Sequence, residues 1–407
     1  MRQGCLILAA AFLCACAPDL SELPADIEYA ATTDYEPVGG ESADIDVECP
    51  PDTFWYDGAC RSSDLVVATT GGYDVPFSGR VFVAQGERLD ALSELSFPVP
   101  LGGPDGTDLS LAVAPDRLMV VGRDGADTVW AYEPARKRFT TLRPPEGVYL
   151  NVQDAAWDGA RYVVSANQND ALFTFDATGA AAPPLPLGDF SLPGTAPSPA
   201  ALFIDGGRLS AALQMLGDDW SSRGGRLARF GADGATRDPL DLPLADPVGP
   251  LAVNRALSSR HLFVSCAGSY QARDGGIVRV DLFTGEASSI LHETSEPLSP
   301  LNVKVGPLAV TNRGDIYFVA FDADWRGHLQ MLGRDGTVRR VVSDINAFAA
   351  VPIDHSPRTG RLYFFDQRFE NGAPQSRLNA FDVVTGDITT TPFDGAPAAL
   401  RVWIRDR

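Results

Sequence analysis

Lysine is almost missing from this chain of 407 residues: Lys137 and Lys304 are the only two, so arginine supplies nearly all of the positive charge. Histidine is scarce as well, at four. Acidic residues outnumber basic ones 53 to 33, for a net charge of −20. Such a chain is repelled by phosphate backbones and anionic lipid, which argues against nucleic acid as a partner. No uninterrupted apolar run reaches the roughly 18 residues of a membrane-spanning helix. The chain also carries no Gly-x-Ser-x-Gly elbow, His-Glu-x-x-His pair, phosphate loop or dinucleotide fingerprint. What it has instead is a 45% hydrophobic composition, 39 glycines and 31 prolines, enough for a large folded core rich in turns.

The first residues read as an export signal. Arg2 precedes a short apolar stretch from Cys5 to Ala15 that ends in small residues. Its last four residues, Leu13-Cys14-Ala15-Cys16, resemble the lipobox of bacterial lipoproteins. That resemblance implies cleavage after residue 15 and acylation of Cys16, an anchor that needs no transmembrane helix. Ala17 and Pro18 follow rather than an aspartate, which by the family's sorting rule implies the outer membrane. The alternative is an ordinary signal cleaved near Ala15 or Ala17. Residues 17–48 hold ten acidic residues and no basic one. Without helical or strand periodicity, they read as a disordered, self-repelling tether. An acidic tail that recruits cations or basic partners is the other reading.

Cys49 and Cys60 bracket a short, turn-rich segment in an exported chain, so a local disulfide is expected. Two cysteines without a nearby Cys/His pair are a poor zinc signal. Cys266, in the strand-like run HLFVSC, reads as a small buried apolar residue.

From about residue 62 the sequence repeats. Hairpin turns follow Ala84, Tyr132, Phe175, Phe230, Val280, Leu332 and Phe381, clearest with Asx and Gly in LFTFDATG, IVRVDLFTG and LNAFDVVTG and with variants such as Glu133–Lys137. The mean step is about 50 residues, from the first and last marks. Some 25 to 35 residues before most turns lies a small-residue strand (SLAVAPDRL, AALFIDGGRL, PLAVTNRGDIY), then a bulkier alternating one. Four antiparallel strands per unit, seven times over, predict an all-β fold, a seven-bladed β-propeller. The first unit lacks its small-residue strand, and the C-terminal APAALRVWIRDR matches the missing type. Residues 396–405 are therefore expected to close the ring on the N-terminal blade; a six-bladed ring with a cap is the alternative. The repeat resembles the YVTN/NHL-type propeller unit over roughly residues 62–405, without an intact Tyr-Val-Thr-Asn core. That resemblance implies the fold and leaves function open among binding scaffolds, lactonases and lyases. The expected organisation is signal peptide 1–15, lipidated Cys16 and tether 16–48, disulfide loop 49–61 and propeller 62–407.

In a propeller, the loops between second and third strands and those linking blades form one face. Here those loops include MLGDDWSSRGG, CAGSYQARDGG, AFDADWRGH and DQRFENGAPQSR. Asp219, Trp220 and Arg223 recur in kind as Asp324, Trp325 and Arg326, a combination suited to stacking a sugar or anchoring a peptide. Alternatively, both tryptophans fold back over their blades as lids. Asp218, Asp219, Asp322 and Asp324 offer oxygen ligands for Ca²⁺, though without a contiguous calcium loop. His292 and His328 approach the same face by strand direction, and His261 and His355 the other. The recurring Asx after innermost strands (Asp205, Asn254, Asn312, Asp354) reads as turn structure. These residues describe a monomeric, envelope-anchored binding propeller for a protein, peptide or glycan, with no catalytic residues and no cofactor. The competing reading is a lactonase-like hydrolase or lyase using Asp322, Asp324 and His328 as a metal or acid–base group, with Ca²⁺ the candidate metal of its metal-dependent version.

Overall fold

A computed structural model describes residues 49–406, apart from residues 57, 73, 145–150, 168, 232–233, 254–260, 269–273, 293–303, 322–325, 346–352, 371–372 and 394. Seven antiparallel sheets make a seven-bladed β-propeller. Six have four strands; the seventh, blade 1, has a short fifth strand, Phe54–Tyr56. Among the described residues the helical segments are three single 3-10 turns.

The innermost strands, blades 1 to 7, are Ala396–Arg405, Asp108–Ala114, Val152–Trp157, Pro199–Asp205, Pro247–Val253, Lys304–Val310 and Ile353–His355. Each pairs outward with its second strand, and the seven repeat marks all fall in third strands. The Asx/Gly signal is a hairpin cap, as its spacing predicts. Asp176 Oδ1 accepts the Thr178 and Ala180 N–H groups, Asp281 Oδ1 those of Phe283 and Thr284, and Asp382 Oδ1 those of Val384 and Thr385. Gly179 sits at φ 89°, where a Cβ would lie 2.7 Å from the Thr140 methyl of the preceding blade. Turn and blade packing thus both demand glycine there.

Blade 1 is built from both ends of the chain. Ala396–Arg405 pairs antiparallel with Ala59–Thr70, in register from Ser62↔Arg405 to Thr70↔Ala396. Trp403 is 2% exposed and donates its indole N–H to the Ala114 carbonyl of blade 2 at 2.7 Å. The ring therefore has no open edge at its junction. Apolar clusters fill the seams between blades: Leu65, Leu400, Phe364 and Phe365 pack in the cluster that includes blades 7 and 1. At that seam the Glu87 carboxylate, 4% exposed, accepts hydroxyl hydrogen bonds from Ser63, Ser356, Thr359 and Tyr363.

The Cys49–Cys60 disulfide is formed, with Cα atoms 5.5 Å apart. Its hairpin pairs Phe54–Tyr56 with the start of Ala59–Thr70, so the bridged loop runs into blade 1 as one continuous strand. Cys266 is buried, and burial pushes its thiol pKa up. Cys16 and residues 17–48 lie outside the described residues.

Candidate functional site

Two faces follow from the strand directions. One carries the turns joining first to second and third to fourth strands, here the hairpin face. The other carries the second-to-third connections and the links between blades, here the loop face. Because Ser62 pairs with Arg405, the chain enters on the hairpin face.

On the loop face, the second-to-third connection of blade 4, residues 214–224, holds Trp220. Backbone bonds pin its base to the preceding link: Leu216 and Ala196 exchange two, at 2.8 and 3.0 Å, and the Met215 N–H donates to the Pro197 carbonyl. Side chains tie it to blade 5. Gln214 Nε2 donates to Asp246 Oδ1 at 2.7 Å, and the Asp246 N–H donates to Ser222 Oγ. At the tip, Gly217 donates to the Ser221 carbonyl and Trp220 to the Gly217 carbonyl, both at 2.9 Å. Asp219 accepts the Ser221 hydroxyl at 2.6 Å and pairs with Arg223 at 3.0 Å. The Ser221 hydroxyl and N–H, with Arg223 beyond, hold the Asp219 carboxyl below the usual range.

Trp220 is 50% exposed with φ at 62°. A bulky residue in the left-handed region is uncommon and persists where surrounding bonds fix it. Half of the Trp220 surface is thus open to solvent, on the same tip as the Asp219–Arg223 ion pair. Arg326 is exposed, and His292 too; His328 is buried, 3% exposed, near the start of the third strand of blade 6. Trp325, Asp322 and Asp324 lie outside the described residues, so the second Asp-Trp group is not placed. Among the described residues, no group of three or more His, Cys, Asp or Glu converges as a metal site.

The blade 7 connection differs from expectation. Arg361–Glu370 and Ala373–Asp382 are ten-residue strands paired through Glu370↔Ala373, so DQRFENGAPQSR is chiefly a long hairpin. Extended pairing satisfies backbone groups that a free loop would leave to solvent. Sequence reasoning also missed a second apolar feature of this face. Val75, Phe77 and Val99 are 40%, 50% and 43% exposed, with Phe77 at φ 52°. The Thr107 hydroxyl holds them there, donating to the Val75 carbonyl and accepting the Ser78 N–H. The only signal was the run DVPFSG, apolar residues among turn formers.

The channel holds the other polar constellation. A cavity of about 650 Å³ is lined by the innermost strands of all seven blades and rimmed at the hairpin face by Asp116, Asp158, Asn312 and Asp406. Asp154 and Asp354 stand on its wall. Asp154 Oδ2 accepts the Leu202 N–H of the next blade at 2.8 Å, and Oδ1 accepts its neighbour Ala155. Asp354 repeats the bridge on Val402 and His355, both at 2.9 Å. Desolvation pushes Asp154 up to about 6, against the two N–H bonds and the Arg401 charge. Asp354 shifts the same way for the same first reason. Burial alone holds His355 down, to about 4. Asp354 was read as a turn residue; here it fastens blade 7 to the closing strand. Innermost strands leave N–H groups without a strand partner on their inner edge, and these two carboxylates accept four of them.

No family model matches the chain, and no curated protein matches it. Solved structures share the fold. A candidate 6-phosphogluconolactonase from Bacteroides uniformis is 13% identical over 84% of this chain and 99% of its own, with a TM-score of 0.58. A protein from Lactobacillus plantarum is 13% identical over 84% and 99%, with a TM-score of 0.56. Virginiamycin B lyase from Staphylococcus aureus, crystallised with quinupristin, is 12% identical over 71% and 85%, with a TM-score of 0.49. At these identities the likeness is one of fold.

Proposed function

We propose that this protein is a non-catalytic binding propeller whose loop face captures a protein, peptide or glycan through Trp220. The supporting observation is an indole half exposed on a loop locked by main-chain and side-chain bonds. A rigid aromatic loses little conformational freedom on binding, and tryptophan is enriched where binding energy concentrates. Asp219 and Arg223 flank it with an acceptor and a fork of donors. In this reading acylated Cys16 anchors a monomeric ring to the outer membrane, on its periplasmic or surface side, and residues 17–48 hold it off the bilayer.

The test is to screen the full chain against immobilised glycans and purified envelope proteins, then titrate each partner against two variants. Trp220→Ala should weaken binding at least about tenfold, a hot-spot loss. Phe283→Ala, on the opposite face, should leave it unchanged. Equal loss in both, or in neither, removes the site.

A second reading is a hydrolase or lyase using Asp322, Asp324 and His328, with Ca²⁺ as the candidate metal. Its support is the shared fold with a candidate lactonase. Stoichiometric calcium or zinc in the purified protein would favour it.

A further inference from the structure

We propose that the channel cavity is a second binding site, for a small zwitterion of the amino acid or dipeptide class, entered from the hairpin face. The cavity of about 650 Å³ is lined by apolar residues, including Leu202, Leu251 and Leu308, by Arg401, Asp154 and Asp354 on three innermost strands, and by Arg61 and the rim aspartates. A concave lining that mixes apolar side chains with convergent polar groups suits a small-molecule site.

Arg401 is the cation that an innermost strand brings to this lining. Its hydrogen bond among the described residues is one N–H to the adjacent Leu400 carbonyl, at 3.1 Å. Asp154 and Asp354 both feel its charge, yet among the described residues neither lies within ion-pair distance of it. The remaining guanidinium donors form the planar fork that binds a carboxylate in bidentate fashion. Each aspartate has used one acceptor position per oxygen on backbone N–H groups. A carboxylate has about four such positions, so each keeps capacity for an ammonium donor. Arg401 and the two aspartates, Asp354 being bonded to the Val402 N–H next to Arg401, suit a ligand that carries a carboxylate, an ammonium and an apolar side chain.

Isothermal titration calorimetry of the detergent-solubilised full chain with L-alanyl-L-leucine reads this directly. Saturable binding is expected. It should weaken at least about tenfold when the dipeptide carries a C-terminal amide, and again when it is N-acetylated, each change removing one charge-assisted contact. Arg401→Gln should bind the free and amidated peptides alike, and Asp354→Asn should lose part of the penalty for N-acetylation. No saturable heat with the free dipeptide, or equal affinity for its amide in the unaltered protein, overturns the proposal. The modified peptides decide the matter on the native chain even where a variant fails to fold.

Discussion

The Asp354 carboxylate accepts the backbone N–H of Val402, 48 residues further along the chain and one blade on, at 2.9 Å. That bond ties the last complete blade to the strand that closes the ring, and Asp154 makes the same bridge to Leu202 between blades 3 and 4. Both carboxylates serve the frame before they serve any ligand. Asp354→Ala should therefore destabilise the fold by about 1–3 kcal/mol, the cost of leaving buried N–H groups unsatisfied. Urea unfolding checks it.

Asp154 and His355 set opposing pH dependences over one window. Asp154 titrates near 3.8 unfolded and near 6 folded, so the native state binds the proton more tightly and stability falls as pH rises between these values. His355 moves from 6.5 to about 4, so the unfolded state binds the proton more tightly and stability rises with pH. Each contributes about 3 kcal/mol across its span. Relative to the unaltered protein, Asp154→Asn should gain stability progressively from pH 4 to 6, and His355→Gln should lose it. Unfolding midpoints measured at half-unit pH steps give the two difference curves.

Glu87 gathers four hydroxyls from blades 1 and 7 into one buried carboxylate. Glu87→Gln places an amide among donors and should cost about 2–4 kcal/mol, since bonds to a charged acceptor count for more than neutral ones. Tyr363→Phe removes one donor and should cost about 1.5–3 kcal/mol. Their double variant should fall short of the sum, because both changes break the same cluster.

The Cys49–Cys60 bridge constrains a short loop, so Cys60→Ser should release about 3 kcal/mol of chain entropy locally. Limited proteolysis should cut within residues 50–58 of that variant, while far-ultraviolet circular dichroism keeps the β-sheet signal of the ring.

Removing residues 396–407 strips the pairing partner from Ala59–Thr70, leaving that strand's inner edge open along nine register positions. Concentration-dependent aggregation on size-exclusion chromatography is the expected outcome.

The repeat made the architecture legible. Turns after seven third strands, most of them with Asx or Gly, and an orphan C-terminal strand gave blade count and closure, because hairpin chemistry is local and leaves residues at fixed spacings. The channel constellation was not legible. Asp154 sits in QDAAW and Arg401 in LRVWI, some 250 residues apart, and only the ring's curvature brings their charges into one cavity. The hydroxyl cluster on Glu87 was hidden for the same reason. Trp220 could be picked out by type, but its exposure depended on bonds to Ala196 and Asp246 that sequence does not reveal.

The disulfide also decides how the ring would bear a mechanical load. Tension on any segment upstream of Cys49 crosses the sulfur bridge to Cys60 and skips the small hairpin between them. It then enters a strand clamped on one side by residues 396–405 and on the other by Arg80–Gln85. The pull runs along that strand's axis, so many backbone bonds share the shear at once instead of parting one by one, and the blade that both chain ends build is also the one best placed to resist being drawn out.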